Sequence, residues 1–205
     1  MSRLGMIIDT KYCINCNACT EACKQEQGTP PKILFARVNV REYGKYPEVH
    51  KIFLPLLCMH CENPPCMQSC PSHAISKTPD GIVKVNEEKC IGAQACVSAC
   101  PYGAMYYPME LETYFKGQVT PFEGYHINKR ISFPAAMKCN FCEHRVREGK
   151  EPACVVTCPT DCRIFGDLDD PNSKPNLYLK KRLPKSSLIS LRAEAGTKPK
   201  VRYLV

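Results

Sequence analysis

The sequence predicts a small α+β protein made of two nested cysteine-rich modules with β-rich inserts. Three observations carry that expectation. Of 205 residues, 16 are cysteine, and they fall into four similar groups rather than being scattered. Without them the apolar share of 44% drops to about 36%, thin for a chain this long. The 18 prolines and 11 glycines cut the chain into short elements. Metals, disulfides or both must therefore supplement side-chain burial.

Taken in order, Met1-Ser-Arg-Leu-Gly-Met-Ile-Ile-Asp9 opens with an apolar stretch too short for a signal-peptide core, and Asp9 closes it. No run approaches the ~18 apolar residues of a membrane span; Ile52-Phe-Leu-Pro-Leu-Leu57 is the longest of note. The expectation is a chain without an export signal or anchor of its own, which argues against a disulfide-rich secreted protein. Group one is Cys13-x2-Cys16-x2-Cys19-x3-Cys23. Two β-prone stretches follow, Lys32–Arg41 and Lys51–Leu54. Group two is Cys58-x2-Cys61-x4-Cys66-x3-Cys70-Pro71, and its linker carries a turn at Pro79-Asp80-Gly81 and a short strand at Ile82–Val85. Group three is Cys90-x2-Ala93-x2-Cys96-x3-Cys100-Pro101. Residues 106–138 are aromatic and turn-rich. Group four is Cys139-x2-Cys142-x11-Cys154-x3-Cys158-Pro159, with Cys162 outside the pattern. Residues 171–205 are mostly polar, end in the β-prone Val201–Leu204, and read as a tail that contacts another subunit.

The spacing selects the chemistry. A zinc site takes four ligands, commonly two from each C-x2-C pair, and has no use for a third close cysteine. An iron–sulfur cubane does: a tight loop wraps three iron corners and a remote residue supplies the fourth. The C-x2-C-x2-C-x3-C-P run is the bacterial two-cluster pattern, whose last cysteine ligates the other cluster. Cysteines at i and i+4 share one helix face, so a single turn presents thiolates to two neighbouring sites. The following proline turns the chain away from the helix. Group one departs slightly, with Lys24 in the proline position. Ala93 departs more, since alanine cannot bind iron. That site either lacks one iron, as in [3Fe–4S], or completes its fourth iron with water or a ligand from elsewhere.

Groups two and three resemble one complete two-cluster ferredoxin, with groups one and four flanking it. In that order the chain resembles the four-cluster electron-transfer (beta) subunits of the dimethyl sulfoxide reductase class of molybdopterin oxidoreductases, among them those of polysulfide, thiosulfate, tetrathionate and respiratory arsenate reductases. The likeness covers roughly residues 4–170. It rests on Cys58-Met-His-Cys-Glu-Asn-Pro-Pro-Cys66, the spacer from Cys142 to Cys154, and Arg163-Ile-Phe-Gly-Asp-Leu-Asp-Asp-Pro-Asn-Ser173. It implies an outer module split between residues 1–57 and 106–170, an inner module at 58–105 and a tail at 171–205. It also implies the ligand sets. Cys13, Cys16, Cys19 and Cys158 hold one cluster, and Cys139, Cys142, Cys154 and Cys23 the next. Cys58, Cys61, Cys66 and Cys100 hold a third. Cys90, Cys96 and Cys70 are left for the fourth, beside Ala93. Loss of that second cysteine is similar to the nitrate reductase and ethylbenzene dehydrogenase beta subunits, which have tryptophan there and a [3Fe–4S] cluster. The implied complement is three [4Fe–4S] clusters and one [3Fe–4S].

The remaining residues offer no catalytic set: no nucleophile–base pair and no phosphate loop accompanies the cysteines, so the chain reads as a non-catalytic electron conduit. His60 and His144, beside Cys61 and Cys142, are candidates for hydrogen bonds to cluster sulfur or, more plainly, surface or subunit-contact histidines. His50, His73 and His126 have no motif. Asp167, Asp169 and Asp170 suggest a calcium-style cluster, but Pro171 and Asn172 make a turn the better reading. Cys162 reads as a partly buried free thiol. The 28 Lys and Arg against 20 Asp and Glu leave +8, which invites a nucleic-acid reading, yet the basic residues are dispersed and no nucleic-acid motif accompanies them. Four oxidised clusters with their thiolates carry about −8 together, so the excess reads as counter-charge for bound cofactors. The resemblance implies a large molybdopterin catalytic subunit as partner, with a membrane quinone-interacting subunit or a soluble carrier at the other end. A hydrogenase or tungsten aldehyde oxidoreductase is the alternative partner, and a zinc-scaffold interaction protein or an exposed-iron dehydratase the remote alternatives. Co-export with the catalytic partner implies a periplasmic location, with the cytoplasm as the alternative.

Overall fold

A four-stranded sheet holds the two ends of the chain together. The structure, a computed structural model, describes residues 2–110, 112–129 and 133–205. Met1 and, within the 106–138 insert, Leu111 and residues 130–132 lie outside the described residues. Strand β1 (Leu4–Asp9) is the apolar opening of the sequence, and Met6, Ile7 and Ile8 are completely buried. A strand covered on both faces reads as a continuous apolar run, as this one does. It pairs antiparallel with β6 (Arg163–Asp167), Ile8 opposite Arg163, and parallel with β8 (Val201–Leu204), Met6 opposite Val201. The short β7 (Leu188–Ile189) completes the order β6-β1-β8-β7. Close packing requires glycine at position 5: a Cβ there would stand 2.4 Å from the Leu168 side chain and 2.6 Å from the Lys200 carbonyl oxygen.

The C-terminal segment expected as a polar tail is thus part of the core. Val201, Tyr203 and Leu204 are fully buried, and the Tyr203 hydroxyl donates to the Pro55 carbonyl at 2.8 Å. Helix α7 (Lys174–Arg182), capped by Ser173, packs on β6. It is pinned at the end of β1, where the buried Asp9 carboxylate accepts from the Tyr178 hydroxyl at 2.9 Å and the Arg182 Nε at 3.0 Å. The Asp167–Asp170 cluster is a turn: Asp167 and Asp170 carboxylates accept from the backbone N–H groups of Asp169 and Asn172, each at 2.9 Å, and Asp169 pairs with Arg3.

Two hairpins complete the β structure. Strands β2 (Arg37–Lys45) and β3 (Glu48–Leu56) turn through Tyr46-Pro47 and extend further than their apolar residues suggest. Cross-strand pairs carry the polar end: Glu42 with Lys51 at 2.7 Å, and the stacked rings of Tyr43 and His50. Residues 33–36, expected as strand, instead bury Ile33, Phe35 and Ala36 in irregular structure after Pro30-Pro31 and the left-handed Lys32. Strand β5 (Val83–Val85) falls within the stretch expected as strand, and it pairs across the expected turn at Gly81, where φ is +89°, with β4 (Ile75–Lys77), for which the sequence offered no separate expectation.

The helices are short because cysteine groups punctuate them. These are α1 (Ala18–Gln27), α2 (Pro65–Gln68), α3 (Ala95–Ala99), α4 (Pro121–Asn128), α5 (Glu143–Arg147) and α6 (Ala153–Val156). The helices α2, α3 and α6 all stop before a Cys-Pro step, which removes the next donor and disfavours helical backbone. Lys24 lets α1 run on to Gln27, and its ammonium group then ties the following loop, donating to the carbonyls of Thr29, Pro30 and Ile33. Helix α1 packs on α6, and α2 on α3.

Because β8 supplies core rather than tail, Tyr203→Ala is expected to cost about 3–5 kcal/mol, lowering the thermal midpoint by about 10 °C. Tyr203→Phe removes only one hydrogen bond and is expected to cost about 1–2 kcal/mol. Thermal unfolding of both variants checks the pair.

Candidate iron–sulfur cluster sites

The four cysteine groups repeat one backbone conformation. Two residues after the first cysteine the chain turns left-handed every time, at Asn15 (φ +57°), His60 (+42°), Gly92 (+74°) and Phe141 (+54°). Three residues after each Cys-Pro cysteine it does so again, at His73 (+51°), Gly103 (+56°) and Asp161 (+50°). The loop at Ala93 keeps the shape of its counterparts although its cysteine is missing. The turns aim N–H groups at sulfur: Ala74 donates to Cys70 Sγ at 3.3 Å, Ala104 to Cys100 at 3.5 Å, and Phe141 to Cys139 at 3.4 Å. Such bonds favour thiolate over thiol.

The folded chain gathers cysteines from distant segments around shared pockets. Cys13, Cys16 and Cys19 line one with Cys158, together with Cys162 and Arg163. Cys58, Cys61, Cys66 and Cys100 line another. Cys23 lies among Cys139, Cys142 and Cys154, near enough for their charges to interact. Cys96 lies likewise beside Cys70 and Cys90. Among the described residues no three His, Cys, Asp or Glu side chains converge on a point suited to one metal ion. Three close cysteines with a remote fourth suit a polynuclear cluster better than a zinc ion, which commonly takes two from each pair.

Burial decides the state of these thiols without metal. It pushes Cys23 and Cys66 up to about 12 and Cys61 and Cys154 up to about 11, with neighbouring thiols adding to the rise at Cys23, Cys61 and Cys66. Burial also raises Cys158, but hydrogen bonds from Thr160 and Cys162 outweigh it and hold this thiol below its ordinary value. Such thiols become thiolates only when positive charge replaces the proton, which ferric and ferrous iron supplies.

The interior also holds cations that sequence reading missed. Arg163 is buried, with Nη2 3.4 Å from Cys19 Sγ and Nη1 4.0 Å from Cys154 Sγ. Lys138 is buried too; its Nζ donates to the carbonyls of Val83 and Cys139. Among the described residues neither meets a carboxylate, whereas the buried Lys200 pairs with Glu62 at 3.0 Å. A buried cation without an anion costs several kcal/mol, so this donor set fits an anionic cluster better than it fits an empty core. One signal in the sequence marks Cys162. In the Cys-Pro-x-x-z register it occupies the place of Ala74 and Ala104, which puts it against Cys158.

The two candidate histidines separate. His144 is half exposed and its Nε2 lies 2.6 Å from a Glu26 carboxylate oxygen, a hydrogen-bonded contact near the surface. His60 is completely buried, stacked on Phe141 at 3.6 Å between ring centres. Its Nδ1 accepts from the Val83 N–H at 3.0 Å, and its Nε2 has no partner among the described residues. Burial and the nearby Lys138 and Lys200 charges hold it neutral, well below the ordinary histidine range. Nδ1 being the acceptor, Nε2 carries the proton.

Comparison with known proteins agrees with this chemistry. The sequence profile of a family described as "4Fe-4S dicluster domain" matches residues 49–121 and 117–168. The chain is 34% identical to the arsenate respiratory reductase iron–sulfur subunit of Shewanella sp. (strain ANA-3), over 98% of this chain and 96% of that one. It is 39% identical to the B component of polysulfide reductase from Wolinella succinogenes, over 97% and 92% of the two sequences. With the B component of tetrathionate reductase from Salmonella typhimurium it shares 38% identity over 98% of this chain and 72% of that one. The chain therefore belongs to the iron–sulfur electron-transfer subunits of the dimethyl sulfoxide reductase class. An iron–sulfur subunit of this kind moves electrons within a multi-subunit oxidoreductase and is not itself the catalytic chain, as the absence of a nucleophile–base set in the sequence already suggested.

His60 supplies a test of the site's packing. In the iron–sulfur subunit, His60→Phe keeps the ring against Phe141 but strands the Val83 N–H, at a cost of about 1–3 kcal/mol. Thermal unfolding measured beside iron content checks the loss, and an unchanged midpoint would show that the hydrogen bond carries none of it.

Proposed function

We propose that this subunit relays single electrons through four iron–sulfur clusters, three [4Fe–4S] and one [3Fe–4S]. The relay runs between a molybdenum- or tungsten-pterin catalytic subunit and a membrane quinone-linked subunit or another carrier. The single observation that carries the reading is the convergence of thiols from distant groups around separate pockets. Bound clusters supply one-electron oxidation and reduction with no atom transferred.

The proposed ligand sets are Cys13, Cys16, Cys19 and Cys158 for the first cluster, and Cys23, Cys139, Cys142 and Cys154 for the second. Cys58, Cys61, Cys66 and Cys100 hold the third, and Cys70, Cys90 and Cys96 the fourth. The packing of α1 on α6 and of α2 on α3 supports a nested plan, the 58–105 module sitting between the halves 1–57 and 106–170 of an outer one. Neighbour relations support a linear order. Arg163 touches Cys19 and Cys154, Cys139 interacts with Cys58, and Cys66, Cys70, Cys90, Cys96 and Cys100 share one apolar cluster. Both end loops carry an exposed isoleucine, Ile14 and Ile91, where a partner's redox centre has close access. Ala93 is exposed in its loop, as is its counterpart Cys16.

Partner and place are part of the same reading. The relatives' names as parts of arsenate, tetrathionate and polysulfide reductases support a large catalytic partner. Among the described residues no helix is long and apolar enough to cross a membrane, and the quinone-reactive membrane partner is proposed as another subunit of the complex. The resemblance to family members exported folded with their catalytic partner supports a periplasmic end point; fractionation that finds the assembled complex in the cytoplasm would replace it. Purification of the native complex is expected to retain a large pterin-containing subunit. A nickel–iron hydrogenase subunit in its place would move the relay to the alternative partner.

The oxidised subunit is expected to show the paramagnetic resonance signal of a three-iron cluster. Ala93→Cys is expected to abolish it and to add about one iron per chain. A silent oxidised wild-type sample would contradict the [3Fe–4S] assignment.

A further inference from the structure

Cys162 and Arg163 enter β6 side by side and both line the pocket of the first cysteine set. The internal repeat shows how unusual that is. After the Cys-Pro-x-x steps, residues Ala74-Ile75 and Ala104-Met105 occupy the same two places, and all four are buried and uncharged. Arg163 is as buried as Ile75 and Met105, at 3% against 4% and 4% exposure, yet carries a full charge. Its hydrogen-bond contacts among the described residues are all to sulfur: Cys19 Sγ at 3.4 Å, and Cys154 Sγ and Met6 Sδ at 4.0 Å. The Cys162 sulfur lies 3.5 Å from Cys158 Sγ.

We propose that Arg163 is a shared cation that raises the reduction potentials of the first and second clusters together, while the Cys162 thiol raises that of the first alone. The inference rests on the ligand sets proposed above, in which Cys19 and Cys158 belong to the first cluster and Cys154 to the second. Reduction adds one electron to a cluster and breaks no bond, so the reduced form is the more negative. A guanidinium against a ligand sulfur stabilises that form, strongly so in a medium of low dielectric. A fork that reaches sulfurs of two clusters moves both in the same direction and keeps the step between them level. With Cys158 bound to iron as thiolate, the neighbouring Cys162 is the S–H donor, and it reaches no ligand of the second cluster.

Redox titration of the purified complex, followed by paramagnetic resonance, tests this. Arg163→Met places at position 163 the side chain that Met105 already provides in the repeat. It is expected to lower two of the four midpoint potentials by at least a tenfold change in the oxidised-to-reduced ratio, 59 mV for one electron, and to leave the other two in place. Cys162→Ala is expected to lower one potential, and that one is among the pair moved by Arg163→Met. A shift in none, in one or in all four centres on Arg163→Met overturns the shared role. If that variant does not load iron, Arg163→Lys decides instead: it keeps a charge without the fork and is expected to lower at least one of the centres next to position 163 and neither of the distant two. Unchanged potentials in Arg163→Lys then overturn the proposal. Wild-type protein with about fifteen irons and four titrating centres upholds the ligand sets independently, and fewer than four centres would sink those sets rather than the role of Arg163.

Discussion

The interior of this protein concentrates thiols and positive charge where a domain of its size ordinarily holds hydrocarbon. Neither is stable there alone. Buried thiols such as Cys23 and Cys66 resist ionisation, and the buried Arg163 and Lys138 meet no carboxylate among the described residues. Iron–sulfur clusters resolve both problems at once, since iron displaces the thiol protons and the resulting anion pairs with the cations. Folding and cofactor loading are coupled on this chemistry, and the +8 of the bare chain has the sign that complements anionic clusters.

The architecture follows from having to bring four chain segments together around that chemistry. The β1–β6 pairing sets group one beside the end of group four, because β1 leads into Cys13 and β6 leaves Cys158. Parallel β8 locks β1 from its other side, so the last residues of the chain hold the first in place. Asp9, gripped by Tyr178 and Arg182, fixes α7 over the same junction. The helices between cysteines need be only a turn or two long, since their task is to present thiols on one face rather than to build a hydrophobic stripe.

Local features of this design were legible in the sequence, and long-range ones were not. The C-x2-C spacings, the Cys-Pro steps, the turn at Gly81 and the short strand after it are set by neighbouring residues, and the family likeness rests on the same motifs. The role of Val201–Leu204 was hidden, because four β-prone residues do not reveal a parallel partner almost two hundred positions away. The hairpin ran past its apolar residues because cross-strand pairs such as Glu42 with Lys51 carry its polar end. Arg163 stood in the sequence only as the first residue of a family motif, and its burial between Cys19 and Cys154 depends on long-range packing that no local pattern reveals. Cys162 had a legible signal, its place in register with Ala74 and Ala104, that only the repeated backbone geometry brings out. His60 and His144, equivalent on paper, parted because one backs onto Phe141 and the other faces Glu26.

The proposed relay stands on four clusters held in a line by these cysteine sets. Anomalous diffraction at the iron edge from crystals of the anaerobically purified complex measures it most directly. Four iron peaks are expected in this subunit, each within the cysteine sets named above, with the peak beside Ala93 weaker than the other three. Single-ion peaks at the zinc edge, or iron density centred away from those cysteine sets, would contradict it.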